Sequence, residues 1–121
     1  MTGRYRPSGY LSAMRILAGL FEVEAVETPY GGMAVSYEPL GHAWLKLGAR
    51  RRRERTEVGR AVALETTTAE TRVDPRLRPG RVLRFGGADW TIVFVEVEAE
   101  RPGRVKLSLE RRPPVKPEDD G

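Results

Sequence analysis

A chain of 121 residues fits one domain, which buries roughly two-thirds of its unfolded surface around a thin core. Cysteine is absent, which excludes disulfides and thiolate metal sites and leaves packing or oligomerisation to hold the fold. The formal net charge is +4 and the sequence pI is near 9.8, which suits phosphates and an acidic protein neighbour equally, and no run approaches the ~20 apolar residues of a membrane span.

Residues 1–14 are rich in Gly, Ser, Pro and Arg without sustained periodicity, which predicts an N-terminal arm over 1–16. The apolar run Ile16 to Phe21 is too short for a secretory signal, so a soluble chain without export or membrane partner is expected. From Leu20 the alternation places Phe21, Val23 and Ala25 on one apolar face of a strand that Thr28 and Pro29 end. Pro29, Tyr30, Gly31 and Gly32 are turn residues and lead into a second strand, Met33 to Glu38. Pro39 to Gly41 is expected to break that strand, and Ala43 to Leu47 to form a third with Trp44 as a core anchor.

The segment Gly48 to Gly59 crowds Arg50, Arg51, Arg52, Arg53 and Arg55 beside Glu54 and Glu57 and has almost nothing to bury, so it reads as a loop or a short surface helix. Ala61 to Thr71, with Val62, Leu64 and a threonine run, favours a strand because β-branched residues are stiff at χ1. Arg78-Pro79-Gly80, Gly86-Gly87-Ala88-Asp89 and Arg101-Pro102-Gly103 then punctuate strands at Val82 to Phe85, Trp90 to Val97 and Val105 to Leu109, an antiparallel meander. Prolines at 113, 114 and 117 and the acidic residues 118–120 predict a disordered tail over 112–121. The expected fold is all-β: a small antiparallel barrel or sandwich of about six or seven strands over 17–111, with one long charged loop or short helix at 48–59.

Catalytic chemistry finds little support. His42 is the one histidine, so any nucleophile triad would depend on it, and a structural or surface role is the better reading. Metal ligation lacks cysteines, a second histidine and a tight carboxylate cluster, and no cofactor is expected. The glycine pairs 31–32 and 86–87 match no phosphate-binding loop and read as hairpin turns. Glu22, Glu24 and Glu27, like Glu96, Glu98 and Glu100, are spaced as an exposed strand face spaces them. The arginine cluster is different: five guanidinium groups within six positions repel one another unless water or an anion offsets them. Copies of such a segment around a shared channel would hold DNA with a steep salt dependence.

The strand Phe21 to Ala25, the turn PYGG at 29–32, VSYEPLGHAWLKL at 35–47, RPGRVLRFGGADWTIVFVEV at 78–97 and RVKLSLER at 104–111 together resemble the head-tail connectors of long-tailed phages and gene transfer agents, specifically the head-closure or stopper family. The resemblance spans about residues 17–111. It implies a non-enzymatic β-barrel, made in the bacterial cytoplasm and built into the particle neck as a six- or twelve-fold ring of its own copies. Its implied neighbours are adaptor or portal-side proteins, tail-terminator proteins and packaged double-stranded DNA. It further implies that the stretch matching the family's channel loop, Gly48 to Gly59, serves as the gate, with Arg50, Arg51, Arg52, Arg53 and Arg55 towards the DNA. The rival from the residues alone is a stand-alone nucleic-acid-binding barrel with Tyr37, Trp44 or Trp90 as stacking platforms. That rival requires exposed aromatics, whereas the connector reading expects Trp44 and Trp90 buried.

Overall fold

The computed structural model describes residues 15–112, so residues 1–14 of the arm expected over 1–16 and residues 113–121 of the tail expected over 112–121 lie outside the described residues. Seven strands run in chain order: β1 (Ile16–Glu27), β2 (Met33–Leu47), β3 (Arg51–Glu57), β4 (Arg60–Arg72), β5 (Val82–Phe85), β6 (Ala88–Val97) and β7 (Arg104–Arg111). They form one antiparallel sheet in the order β2-β1-β5-β6-β7-β4-β3, and a further pairing joins β2, at one end, to β4, next to the other. Six strands thus close into a near-barrel, with β3 flanking β4 outside the ring. Closure leaves few unpaired edges, which is how a domain of short strands avoids pairing with other chains. The expected all-β fold and the β5–β6–β7 meander are both present.

The core follows the two-residue period of each strand. Ala18 and Leu20 of β1, Ala43 and Leu45 of β2, Ala69 of β4, Leu83 and Phe85 of β5, Trp90 and Ile92 of β6 and Val105, Leu107 and Leu109 of β7 form one buried cluster. Trp90 is fully buried and stacks on Phe85 with ring centroids 5.6 Å apart. The threonine run contributes Thr67 and Thr71 to the interior. Their hydroxyls donate to the carbonyls of Gly48 at 3.2 Å and Trp44 at 2.7 Å, which satisfies groups that are costly to bury alone.

Four expectations are corrected. Trp44 is not a core anchor but 58% exposed: Ala43 and Leu45 take the inward phase, and Trp44 lies on the outer face across from Leu17. The apolar set Phe21, Val23 and Ala25 is likewise out of phase with the core, which Ala18 and Leu20 supply, and β1 starts at Ile16, inside the span read as arm. Pro39 to Gly41 does not end β2. Leu20 faces Gly41 and Phe21 faces Pro39, so Leu40 is an extra residue in a bulge, which accommodates a proline that cannot donate to the ladder.

The fourth correction concerns Gly48 to Gly59, which is neither loop nor helix. Arg51 to Glu57 pair residue for residue with Thr66 to Arg60 of β4. The reversal at Val58 and Gly59 has φ of 51° and 74°, as the tight turns that match strand twist require. The chain stays on the edge of β4 after β2 because the Gly48 amide donates to the Thr68 carbonyl at 2.7 Å. A side chain at 48 would run into the Thr68 hydroxyl. The strand forms because β4 offers an unpaired edge there, a tertiary template that outweighs the low β-propensity of charged residues.

Two ribbons extend past the closed body. β1 pairs with β5 through Gly19 to Phe21, so Glu22 to Glu27 have only Met33 to Glu38 of β2 beside them. β4 pairs with β7 from Glu65 to Arg72, so Arg60 to Leu64 have only β3.

Candidate functional site

The strand conformation splits the arginine cluster between two faces. Arg50 and Arg52 share a phase. The Arg50 guanidinium lies 5.3 Å from the centre of the Trp90 ring, Arg111 lies 5.4 Å from the same ring, and Arg52 approaches Glu65 at 4.0 Å. Glu65 also accepts from Arg111 at 2.7 Å. Arg50 and Arg111 thus lie over the Trp90 ring at the edge of the core, while Arg52, 73% exposed, reaches only the outer side of Glu65.

Arg51, Arg53 and Arg55 take the opposite phase. Arg55 donates to Glu110 at 2.6 Å. Arg51 and Arg53 have no carboxylate within 4.0 Å among the described residues. They line an outer groove of about 550 Å³ with Thr66, Thr68, Phe94 and Lys106. Phe94 is exposed there. Two unneutralised guanidinium groups, one ammonium and an aromatic ring on one face make an anion-accepting surface. Of the five arginines named from the sequence, the structure brings these two to it and engages the other three elsewhere.

A second cationic cleft, which sequence reasoning missed, lies at the opposite end of the barrel along the β2–β4 seam. The two strands pair only at Lys46 with Glu70 and Leu47 with Ala69. Beyond that point side chains replace the ladder: Arg76 donates through Nη1 to the Leu40 carbonyl at 2.9 Å and through Nη2 to the His42 carbonyl at 3.1 Å, and Thr71 serves Trp44. Asp74 fixes the clamp, accepting from Arg76 Nη2 at 2.6 Å. Gly41 sits against it at φ 119°. Arg15, His42, Trp44, Arg72, Asp74, Arg76 and Arg104 line the resulting cleft of about 770 Å³.

Arg72 and Arg104 are direct cross-strand partners, an arrangement of like charges that destabilises a sheet unless an anion is shared. The Arg104 Nε is buried with no acceptor. His42 is exposed on the rim of this cleft. The one available signal in the sequence was Asp74-Pro75-Arg76, a turn that opposes an acid and a base. The arginines converge from positions 15, 72, 76 and 104, which no local spacing reveals.

The hydrogen bonds from Arg76 hold the Asp74 carboxyl below its ordinary pKa of 3.8, more than burial raises it. A lowered folded pKa means that the stability Asp74 supplies is complete above the ordinary value and lost as pH falls through the folded one. Asp74→Asn is therefore expected to be less stable than the native chain near neutral pH. The gap in urea midpoint should shrink as pH falls through the lowered folded value, since below it both chains carry a neutral side chain at 74.

The glutamates follow an exposed strand face only in part, since Glu27 takes the phase opposite to Glu22 and Glu24 and one Glu98 carboxylate oxygen is buried. Glu24 is exposed on the β1–β2 ribbon, and Glu22 pairs with Arg81 at 2.7 Å. Glu96 faces Lys106 across the sheet, while Glu98 and Glu100 follow the end of β6. Gly31–Gly32 and Gly86–Gly87 lie in the β1–β2 and β5–β6 reversals.

No family model matches the sequence, and no curated protein matches it. Among solved structures the chain is similar to a component of the virion of a native gene transfer agent particle, with a TM-score of 0.61 and 24% identity over 80% of this chain and 93% of that one. At that identity the likeness establishes a shared fold, and it extends over nearly the whole of the virion component.

Proposed function

We propose that this chain is a non-enzymatic structural component of a gene transfer agent or tailed-phage particle, of the head-closure kind, acting as a ring in the neck that retains DNA and receives the tail. The observation that carries the reading is the near-complete coverage of a virion component by the same near-barrel. The unneutralised pair Arg51 and Arg53, at the base of the β3–β4 ribbon, supports a DNA-facing role for that segment. Many copies around a pore would multiply weak phosphate contacts into firm retention. The gate in this reading narrows from five arginines to Arg51 and Arg53, because Arg50, Arg52 and Arg55 already have partners within the fold.

The test is a pair of substitutions that leaves the cations over Trp90 in place. Arg51→Ser with Arg53→Ser is expected to keep the native melting temperature and to flatten the dependence of log affinity for duplex DNA on log salt by about 1.8 per chain, at about 0.9 for each phosphate no longer neutralised. Particles carrying both changes should lose packaged DNA. Unchanged retention and an unchanged salt slope would remove the gate from the proposal.

One observation favours the rival reading of a single-strand nucleic-acid module: Trp44 is exposed beside Arg15, Arg72 and Arg104, as a stacking platform would be. Trp90 is sealed, so quenching of tryptophan fluorescence by oligonucleotides would report on Trp44. Strong, salt-sensitive quenching that disappears in Trp44→Phe would establish the rival.

A further inference from the structure

Among the described residues the β1–β2 ribbon is covered only at its base, where the Arg84 guanidinium lies 4.3 Å from the Phe21 ring and 5.5 Å from the Tyr37 ring and Arg81 pairs with Glu22. Val23 faces Tyr37 and Ala25 faces Val35 across one face, while Glu22 faces Glu38 and Glu24 faces Ser36 across the other. Met33, Val35 and Tyr37 are exposed, and Tyr30 at the tip is 97% exposed. The tip is nonetheless rigid: the Thr28 amide donates to the Gly32 carbonyl at 2.8 Å, and the Gly32 amide donates to the Thr28 hydroxyl at 3.0 Å. A two-stranded ribbon is marginal by itself, and a preorganised turn that holds out an aromatic side chain is the form that interface anchors take.

The seam cleft has the complementary chemistry. It offers Arg15, Arg72 and Arg104, with no carboxylate within 4.0 Å of them among the described residues, beside Trp44. Leu17, also exposed, lies across from Trp44. Glu24 and Glu38 have no cation within 4.0 Å among the described residues either. Cations, Trp44 and Leu17 at the cleft thus match the acidic face of the ribbon and Tyr30 at its tip.

The two surfaces sit at opposite ends of the same strands. Leu17 is at the base of β1 and Glu27 at its far end, about 33 Å apart at roughly 3.3 Å per residue, so a ribbon cannot reach the cleft of its own chain. We infer that the β1–β2 ribbon of one copy docks in the β2–β4 seam cleft of a second copy, with Tyr30 against Trp44 and Leu17 and with Glu24 and Glu38 towards Arg72 and Arg104. The contact is heterologous and repeats from copy to copy, closing into a ring or running on as a filament according to the angle between neighbours. The inference rests on the ring reading above and names the surfaces that would make the ring.

Sedimentation of the full chain across a concentration series tests it. Tyr30→Ser is expected to weaken self-association by about tenfold or more, as is Glu24→Lys with Glu38→Lys. Adding Arg72→Glu to the latter pair should recover association by restoring opposite charges. Tyr30→Ser mixed with Arg72→Glu should stop at heterodimers, since each partner keeps one intact surface. Association unaffected by Tyr30→Ser, no recovery on charge exchange, or a native chain that stays monomeric throughout would overturn the inference. The ring reading fails separately: purified particles would then lack the chain, whatever its behaviour alone in solution.

Discussion

Trp90→Ala is expected to cost about 3–5 kcal/mol, the range for removing a large buried aromatic, against the 5–15 kcal/mol that holds a typical domain folded. Trp90 lies at the centre of the core cluster, with Phe85 stacked on it and the guanidinium groups of Arg50 and Arg111 over its ring. Alanine would leave a cavity that the closed sheet cannot collapse to fill. It would also remove the apolar floor on which two arginines lie, so that edge of the core would loosen as well. Trp90→Phe separates these effects. It keeps a ring for Phe85 and the two arginines and removes Nε1, a buried donor with no acceptor, so its loss should be clearly smaller. Urea denaturation of the three chains measures both differences. Equal losses for the two variants would mean that the complete indole is required and that a smaller ring stacked on Phe85 does not replace it.

The second large effect is expected at Gly41→Ala. At φ 119° any residue with a Cβ is strained by about 1–3 kcal/mol, and here the Cβ would also stand 2.5 Å from Arg76 Nη1. Arg76 would have to leave the Leu40 and His42 carbonyls, at about 1.5–3 kcal/mol for a hydrogen bond with a charged donor. Those carbonyls belong to the one seam where the backbone ladder gives out, so β2 would come away from β4 at that point. A double-mutant cycle with Arg76→Ala isolates the cause. In the absence of the guanidinium, Gly41→Ala should cost only the strain, and the two single losses should sum to more than the double. Additive losses would show that the clamp and the glycine act independently.

The parts of the fold written as local pattern were legible in the sequence. Val105, Leu107 and Leu109 alternate with polar neighbours, Arg-Pro-Gly turns bracket the meander, and those strands lie where periodicity puts them. Illegible were features that depend on a distant neighbour. Ala43-Trp44-Leu45 alternates without saying which phase faces inward, and hydrophobicity favoured the larger residue. Only the pairing of β2 with β1, whose Ala18 and Leu20 are buried, decides against it. Arg51 to Glu57 has no apolar face because its strand is fixed by the edge of β4, not by burial. The arginine cluster was visible as composition, but its division into a cation over Trp90, two cations beside carboxylates and two open cations follows from the strand period, which a loop or helix reading conceals. The seam cleft was not visible at all, since its arginines meet only when the sheet closes.

The closure of β2 onto β4 has a mechanical consequence. Around most of its circumference the barrel is bound by backbone ladders, but along this one line two residue pairs, one backbone bond beyond them at Gly48 and four hydrogen bonds from side chains to carbonyls carry the load. A cylinder stitched this way yields at its stitching first: thermal fluctuations and external pull alike would part the wall there at less free energy than is needed to melt the whole, leaving the remaining staves intact and able to snap shut again.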